Sequence, residues 1–135
     1  VLNSTKNIST QTVIEAALRF LGSPYLWGGK TVYGCDCSGF VQVIYKLAGI
    51  KLKRDSHEQA EEGSHISLLE EASQGDLAFF DNKEGKIMHV GILLNDDKII
   101  HASGKVRIDR IDHHGIFNDD LKTYSHNLRL IRRVI

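Results

Sequence analysis

Two hydrophobic periods divide this chain of 135 residues, and the change falls near residue 76. In the first half, apolar side chains recur three and four residues apart, which is the period of a helix with one buried face. Thr12 and Glu15 have capping-box spacing, so we predict a first helix from there to Gly22, with Pro24 preventing its continuation. Its buried face would consist of Val13, Ile14, Ala17, Leu18 and Leu21.

A second helix is predicted over residues 37–47, and a shorter third helix follows it. Residues 22–34, between the first two helices, form a loop rich in glycine and turn-forming residues. Ser56 and Gln59 repeat the capping-box spacing and open a helix that stops at Gly63. The apolar face of the second helix and the glycine just past its end are Phe40, Val41, Ile44, Leu47 and Gly49.

From residue 76 onward the pattern becomes typical of short β-strands. The segments are rich in β-branched residues and are separated by turn-forming residues such as "NDD" and "SGK". They are "DLAFFD", "KIMHVGILL", "KIIHAS", "KVRIDRI" and "LRLIRRVI". Helices followed by a run of strands predict an α+β fold with an antiparallel sheet. We expect residues 1–10, which are polar, to be a linker or entry segment, and residues 11–135 to be the domain.

Composition narrows the class of protein without changing this fold. The chain is 41% apolar, which suffices for one core, and its 17 basic and 17 acidic side chains cancel. Balanced charge predicts no binding to nucleic acid, and no apolar run approaches the roughly 18 residues of a membrane span. The chain starts without Met and without a leader, so we expect a mature or trimmed fragment whose location no targeting segment reveals.

Cys35 and Cys37 are the first candidates for chemistry. Two residues apart, they would close a strained ring, so we do not expect a disulfide. Cys37 stands where the second helix begins, and the unsatisfied N–H groups of a helix N-terminus favour a thiolate. Position therefore favours Cys37 as a nucleophile over Cys35, which lies in the loop.

A thiol nucleophile needs a base, and two histidines lie inside predicted strands. These are His89 and His101, which a hairpin through "NDD" would place on neighbouring strands. Either one alone is readily explained as a packed core histidine, but with a helix-capping cysteine the two match a Cys–His pair with a third orienting group. A zinc site from C-x-C and two histidines is the alternative, although both spacings depart from those of zinc knuckles.

Six motifs in sequence order resemble the NlpC-type cell-wall cysteine peptidases, from about residue 22 to residue 103. They are "GSPYLWGG", "DCSGFVQVIY", "RDSHEQ", "GDLAFF", "HVGILL" and "IIHASG". The resemblance implies a compact papain-like domain whose nucleophile, at a helix N-terminus, packs on a small sheet. It also implies a cysteine endopeptidase that hydrolyses peptidoglycan stem peptides between γ-D-glutamate and the following diamino acid, with no metal or other cofactor.

The resemblance carries site roles onto matching positions of this chain. Cys37 in "DCSG" corresponds to the nucleophile, His89 in "HVGI" to the general base and His101 in "HASG" to the residue that orients it. Tyr25 in "PYLWGG" corresponds to a tyrosine near the thiolate that helps form the oxyanion pocket.

Substrate binding is expected from residues that flank these. Asp36 and Ser38 surround the nucleophile, and Asp55 and Ser56 stand in "RDSHEQ"; helix capping is the alternative for both pairs. In the enzymes that this chain resembles, an Asp-Ser pair at this place accompanies recognition of stems with a free N-terminal L-alanine, so the resemblance implies that Asp55 would bind that ammonium. Trp27 is interpreted as a wall of the cleft, with a core anchor as the alternative.

Alternative functions and contexts stay open at this point. A papain-like acyltransferase or amidase would keep the fold and the thiol chemistry, and a wall-binding module would have lost its activity. Arg54 is interpreted as a surface arginine, with binding of a substrate carboxylate as the alternative. Cys35 is interpreted as a small loop residue, with oxidative pairing to another thiol as the alternative. We expect a monomer in the bacterial cell envelope, periplasmic or secreted, with an N-terminal SH3-like domain; fragment recycling in the cytoplasm is the alternative. Diaminopimelate and lysine are not distinguished.

Overall fold

A helical half precedes a sheet half, as the two hydrophobic periods predict. The computed structural model describes residues 2–95 and 97–135, with side chains from residue 10 onward. The helices are α1 (Leu2–Arg19), α2 (Cys37–Leu47) and α3 (Ser56–Gln59), and a small hairpin consists of β1 (Lys30–Thr31) and β2 (Gly34–Cys35). The other strands are β3 (Ser64–Ile66), β4 (Leu77–Asp81), β5 (Ile87–Leu93), β6 (Lys98–Ser103), β7 (Lys105–Asp112), β8 (Gly115–Asn118) and β9 (Thr123–Arg133).

The seven strands from β3 to β9 form one antiparallel sheet that closes on itself. Their order is β3-β9-β4-β5-β6-β7-β8, and β8 pairs again with β9. The first part of β9 pairs with β8 at Gly115↔Asn127, and its last part pairs with β3 at Ile66↔Ile131. Closure leaves few free strand edges, which are templates for unwanted pairing. The antiparallel sheet is confirmed, whereas its closure was not predicted because the β8–β9 register has no local signal.

Helix α2 packs on the sheet, and its first residue, Cys37, belongs to the candidate site. Its side chains Phe40, Val41, Ile44 and Tyr45 are buried, in the same core cluster as Val90, Ile92 and Ile100 of the sheet. Burying each such large side chain stabilises the fold by about 1.5–3 kcal/mol. This packing holds the first turn of α2 against β5 and β6.

The predicted bounds of α2 are confirmed, but those of α1 are wrong. Helix α1 starts at Leu2, ahead of the capping box, and ends at Arg19 rather than at Gly22. Polar residues lower helix propensity by only a few tenths of a kcal/mol each, so the helix can extend through them. The use of residues 1–10 as a linker stays a prediction. Two positions lie outside the described residues: residue 1, and residue 96 in the predicted "NDD" turn. No helix in the described part of the chain is long and apolar enough to cross a membrane.

Candidate active site

Cys37 is the first residue of α2, and its thiol is directed at the start of β5. Asp36 caps the helix by accepting a hydrogen bond from the Gly39 N–H at 2.6 Å, which confirms capping for this residue. The Cys37 side chain is almost buried, and its Sγ lies 3.9 Å from the carbonyl oxygen of Met88. Because Met88 precedes His89 in β5, the strand that carries the predicted base borders the thiol.

His89 and His101 meet on neighbouring antiparallel strands, as predicted. Strand β5 pairs with β6 at Ile92↔Ile100, which brings the two imidazoles to one face. His89 Nε2 and His101 Nδ1 are 2.8 Å apart, and both side chains are buried. Since Nε2 of His89 is used in this contact, Nδ1 is the ring nitrogen left for the thiol.

A buried carboxylate extends this pair of histidines, and the sequence reasoning missed it. His101 Nε2 lies 2.7 Å from Asp109 Oδ2, with 1% and 4% of the two side chains exposed. Arg107 donates to the same carboxylate, with Nη2 2.9 Å from Oδ1. Every second residue of a strand lies on the same face, and one face of β7 carries Arg107, Asp109 and the buried Ile111. The opposite charges two residues apart are therefore the sequence signal that could have revealed a buried ion pair.

His126 is a third imidazole at the site and was also missed. Its ring stacks on His89 with centroids 4.1 Å apart and an interplanar angle of 23°. Burial, followed by the influence of His101, lowers the pKa of His126 to about 4. Nitrogens of His89, His101 and His126 lie within 4.8 Å of one another, a spacing that a metal ion could bridge, but His101 already bonds both His89 and Asp109. A second cluster of possible ligands, on α3 and its cap, consists of Asp55, His57 and Glu58.

Burial dominates the titration of both predicted reacting groups. It raises the pKa of the Cys37 thiol, while N–H groups of Val90, Ser38 and Cys37 itself act in the opposite direction. The N–H groups of the helix N-terminus favour the thiolate, as expected, but desolvation of the sulfur outweighs them and the net pKa is raised. The pKa of His89 lies well below its ordinary value, first through burial and then through His101 and His126. Both groups are therefore neutral near pH 7.

Asp36 is the centre of a second polar network, which joins the glycine-rich loop to α2. Its carboxylate accepts from Arg54 Nη2 at 2.8 Å and from the Gly28 N–H at 3.0 Å. Arg54 Nη1 also donates to Ser38 Oγ at 2.9 Å. Burial raises the pKa of Asp36, but hydrogen bonds from Arg54, Gly39 and Gly28 outweigh burial and leave this pKa below its ordinary value. Arg54 is thus not the free surface arginine expected from the sequence.

Tyr25 is close enough to Cys37 for the charge of the thiol to influence its pKa, whereas Trp27 is almost fully exposed. Tyr25 forms a bridge with Cys35 and donates its backbone N–H to the Gly104 carbonyl. Burial raises the pKa of Tyr25, and the charges of Cys37 and Asp36 add to the rise, so the phenol keeps its proton near neutral pH. Trp27 is 86% exposed, which excludes the core-anchor interpretation; a role as a cleft wall stays a prediction.

Asp55 and Ser56 are close together in sequence but differ in exposure. Asp55 is the N-cap residue of α3, and its carbonyl oxygen accepts from the N–H groups of Glu58 and Gln59, but its side chain makes no capping bond. Ser56, the first helical residue, is buried at 9% exposure. Side-chain capping of α3 by either residue was therefore wrong, and the exposed Asp55 carboxylate takes no part in the helix.

Cys35 belongs to the core rather than to the site. It is completely buried and burial raises its pKa to about 11, which leaves it unreactive. Both cysteines are free thiols, which confirms that they do not form a disulfide. Neither cysteine belongs to a cluster of three possible metal ligands among the described residues, so the C-x-C zinc arrangement is not formed.

Known proteins are similar to this chain in sequence and in fold. A sequence model described as the NlpC/P60 family matches residues 22–124. A gamma-D-glutamyl-L-lysine dipeptidyl-peptidase of Bacillus subtilis is 41% identical over 96 residues, covering 70% of this chain and 32% of that protein. The bifunctional muramidase/DL-endopeptidase CwlT of the same species is 43% identical over 96 residues, covering 69% and 29%. An NlpC/P60 family protein from Bacillus cereus superposes with a TM-score of 0.78 at 31% identity, over 93% of this chain and 40% of that structure.

The match between chain and family covers most of the residues that build the site, although His126 lies just beyond its end. It runs from the loop before Tyr25 to the start of β9, and so includes Cys37, His89, His101 and Asp109. The chain spans about a third of the length of the curated relatives it matches. The matches confirm the resemblance seen in the motifs: the chain belongs to the NlpC/P60 family.

Proposed function

We propose that this domain is a cysteine peptidase that cleaves peptidoglycan stem peptides after γ-linked D-glutamate. The observation that carries the proposal is the buried Cys37 at the start of α2, beside a strand whose His89 is hydrogen-bonded to His101. Nucleophile, base and orienting group are the three parts that acyl transfer through a thioester requires. Peptidoglycan is proposed as the substrate because the relatives are named a γ-D-glutamyl-L-lysine dipeptidyl-peptidase and a DL-endopeptidase.

The reaction begins from a neutral pair. Because burial raises the pKa of the thiol and lowers that of His89, the proton moves from Sγ to His89 Nδ1 as sulfur attacks the γ-carbonyl carbon. The negative charge that develops on the carbonyl oxygen is stabilised by the Tyr25 hydroxyl and by the Cys37 N–H at the helix N-terminus. The His89 imidazolium then protonates the leaving amine of the diamino acid, and water hydrolyses the thioester.

Asp55 is our candidate for recognition of a free N-terminal L-alanine. Its exposed carboxylate is not used for capping, and it neighbours Arg54, whose guanidinium binds the residue next to the nucleophile. An ammonium group that docks against Asp55 would set the peptide register so that γ-D-glutamate is the second residue. A dipeptidyl-peptidase, as the B. subtilis relative is named, releases a dipeptide from a free N-terminus.

Four further residues are assigned to the substrate cleft, two as its lining and two as supports. Trp27 offers an exposed indole, and Ser56 a hydroxyl at the start of α3. Asp36 and Ser38 bond Arg54, so we assign them to shaping the cleft through that arginine rather than to direct binding of the peptide.

The cellular context is proposed on the same basis. A peptidoglycan substrate favours the bacterial cell envelope, with fragment recycling in the cytoplasm as the alternative. An N-terminal SH3-like domain and a monomeric state stay predictions.

The test uses L-Ala-γ-D-Glu-L-Lys, its meso-diaminopimelate analogue and their N-acetylated twins, with products identified by mass spectrometry. Cys37→Ala should abolish cleavage, whereas the matched variant Cys35→Ala should retain it, because Cys35 is completely buried in the core. Faster cleavage of the unblocked peptides, with loss of that preference in Asp55→Asn, would support the role of Asp55. If folded, reduced protein cleaves none of the four peptides, the peptidase proposal is wrong and the acyltransferase and binding alternatives return.

A further inference from the structure

The candidate site contains a buried chain of hydrogen bonds that continues past the two histidines. It runs from His89 through His101 to Asp109, with contacts of 2.8 Å and 2.7 Å. Asp109 lies in β7, opposite Ile99 of β6, so three adjacent strands supply the three side chains. Arg107 closes the chain toward solvent: its Nη2 donates to Asp109 Oδ1 at 2.9 Å, and its side chain is 22% exposed.

The chemistry of these groups determines where the protons lie. Burial pushes the pKa of Asp109 upward, but hydrogen bonds from His101 and Arg107 outweigh it and leave the pKa below its ordinary value. An ionised carboxylate only accepts hydrogen bonds, so His101 must carry its proton on Nε2. A neutral imidazole has one donor and one acceptor, which makes His101 Nδ1 an acceptor. His89 must then donate from Nε2, and its Nδ1 is left as a bare lone pair.

We infer that Asp109 is a positioning residue, which fixes the proton on both imidazoles so that His89 presents an unprotonated Nδ1 to Cys37. This role rests on the proposed peptidase function, because a base is needed only if the thiol must be deprotonated. The opposite arrangement, with protons on both Nδ1 atoms, would direct an N–H group of His89 toward the thiol and block the reaction. The Asp109 carboxylate also stabilises, through His101, the imidazolium that forms when His89 takes the thiol proton.

Two nearby residues define the limits of the network. Arg107 Nη2 donates to Asp109 Oδ1 at 2.9 Å and to Asp120 Oδ2 at 3.2 Å. The Asp120 side chain is 80% exposed, so this outer pair is a surface contact of little energetic weight. Asp120 is therefore a matched control for Asp109: both carboxylates bind Arg107, but only Asp109 touches a histidine.

The decisive measurement is the protonation state of each ring nitrogen, by ¹⁵N NMR of histidine-labelled protein. We expect His101 and His89 of the wild-type protein to carry their protons on Nε2. In Asp109→Asn, Arg107 retains the amide oxygen and the amide NH₂ faces His101, which moves the proton of both rings to Nδ1. Asp120→Asn should leave both rings as in the wild type. A wild-type spectrum with His101 protonated on Nδ1, or on both nitrogens, would overturn the inference without any activity assay.

Kinetics supply the second readout. Asp109→Asn should lower kcat by at least about 100-fold, since the comparable change in a serine-protease triad costs about 10⁴. In a His101→Asn background the same substitution should have an effect of less than about threefold, because an amide has its own donor and acceptor. Equal effects in both backgrounds, in variants that unfold at similar temperatures, would mean that Asp109 is merely structural. If the wild-type protein cleaves no stem peptide, the proposed function fails, and the NMR result still decides the proton positions.

Discussion

The contact between Arg54 and Asp36 allows a prediction whose size follows from the geometry. Arg54 donates to both carboxylate oxygens, Nη1 to Oδ1 at 3.0 Å and Nη2 to Oδ2 at 2.8 Å, and the Asp36 side chain is only 10% exposed. Hydrogen bonds to charged groups contribute about 1.5–3 kcal/mol each when buried. Because 32% of the Arg54 side chain is exposed, solvent screens part of this, and we expect Arg54→Met to lower the free energy of unfolding by about 2 kcal/mol.

The assay is urea or thermal unfolding, with Arg129→Met as the control. Arg129 lies 3.9 Å from Asp81 and is 59% exposed, so its removal should cost less than about 0.5 kcal/mol. For a chain of this length, 2 kcal/mol corresponds to a fall in Tm of about 7 °C. If Arg54→Met and Arg129→Met destabilise the protein equally at pH 7, the reasoning is refuted.

The pH dependence gives the same prediction a second readout. The pKa of Asp36 is lowered in the folded protein, so the folded state binds this proton less tightly than the unfolded state, where the pKa is about 3.9. The contribution is therefore complete above that unfolded value and is lost as the pH falls through the lower folded value. The difference in stability between wild type and Arg54→Met should be constant from pH 7 to about pH 5 and should shrink below about pH 4.

Three other perturbations address the reacting groups. Gly91→Ala would place a methyl group 2.9 Å from His101 Cβ, so we expect a loss of stability of about 1–3 kcal/mol in urea unfolding and a fall in kcat of more than about tenfold. His126→Ala opens the buried face of His89 to solvent. Since burial lowers the pKa of His89, the acid limb of the wild-type kcat/KM profile should lie below pH ~6.5, and in the variant this limb should move to higher pH. Tyr25→Phe removes a proposed oxyanion donor and should lower kcat by about 100-fold with little change in KM, measured on the unblocked tripeptide.

Local signals account for the parts of this structure that the sequence predicted. Helix α2 begins and ends where expected because its cap, its apolar face and the glycine beyond its end lie within fourteen residues, from Asp36 to Gly49. The proximity of His89 and His101 follows from one short hairpin, so the pair was predicted from spacing alone. The closure of the sheet, in contrast, depends on two pairings of β9, one with β8 near its start and one with β3 near its end. No local sequence signal sets either register.

Buried charge is what the sequence could not reveal at this site. A carboxylate is almost never buried unless it is paired, and Asp36 resembles a surface carboxylate in the sequence because its partner is not visible near it along the chain. Arg54, eighteen residues beyond Asp36, comes into contact only when α3 packs near α2. Arg107 is the exception, since it lies two residues from Asp109 on the same face of one strand. Arg107 and Asp109 are followed, after one more residue, by the buried Ile111 on the same face of β7. This pattern indicates that the ion pair lies on the buried face of the strand, where Asp109 contacts His101 of the neighbouring strand.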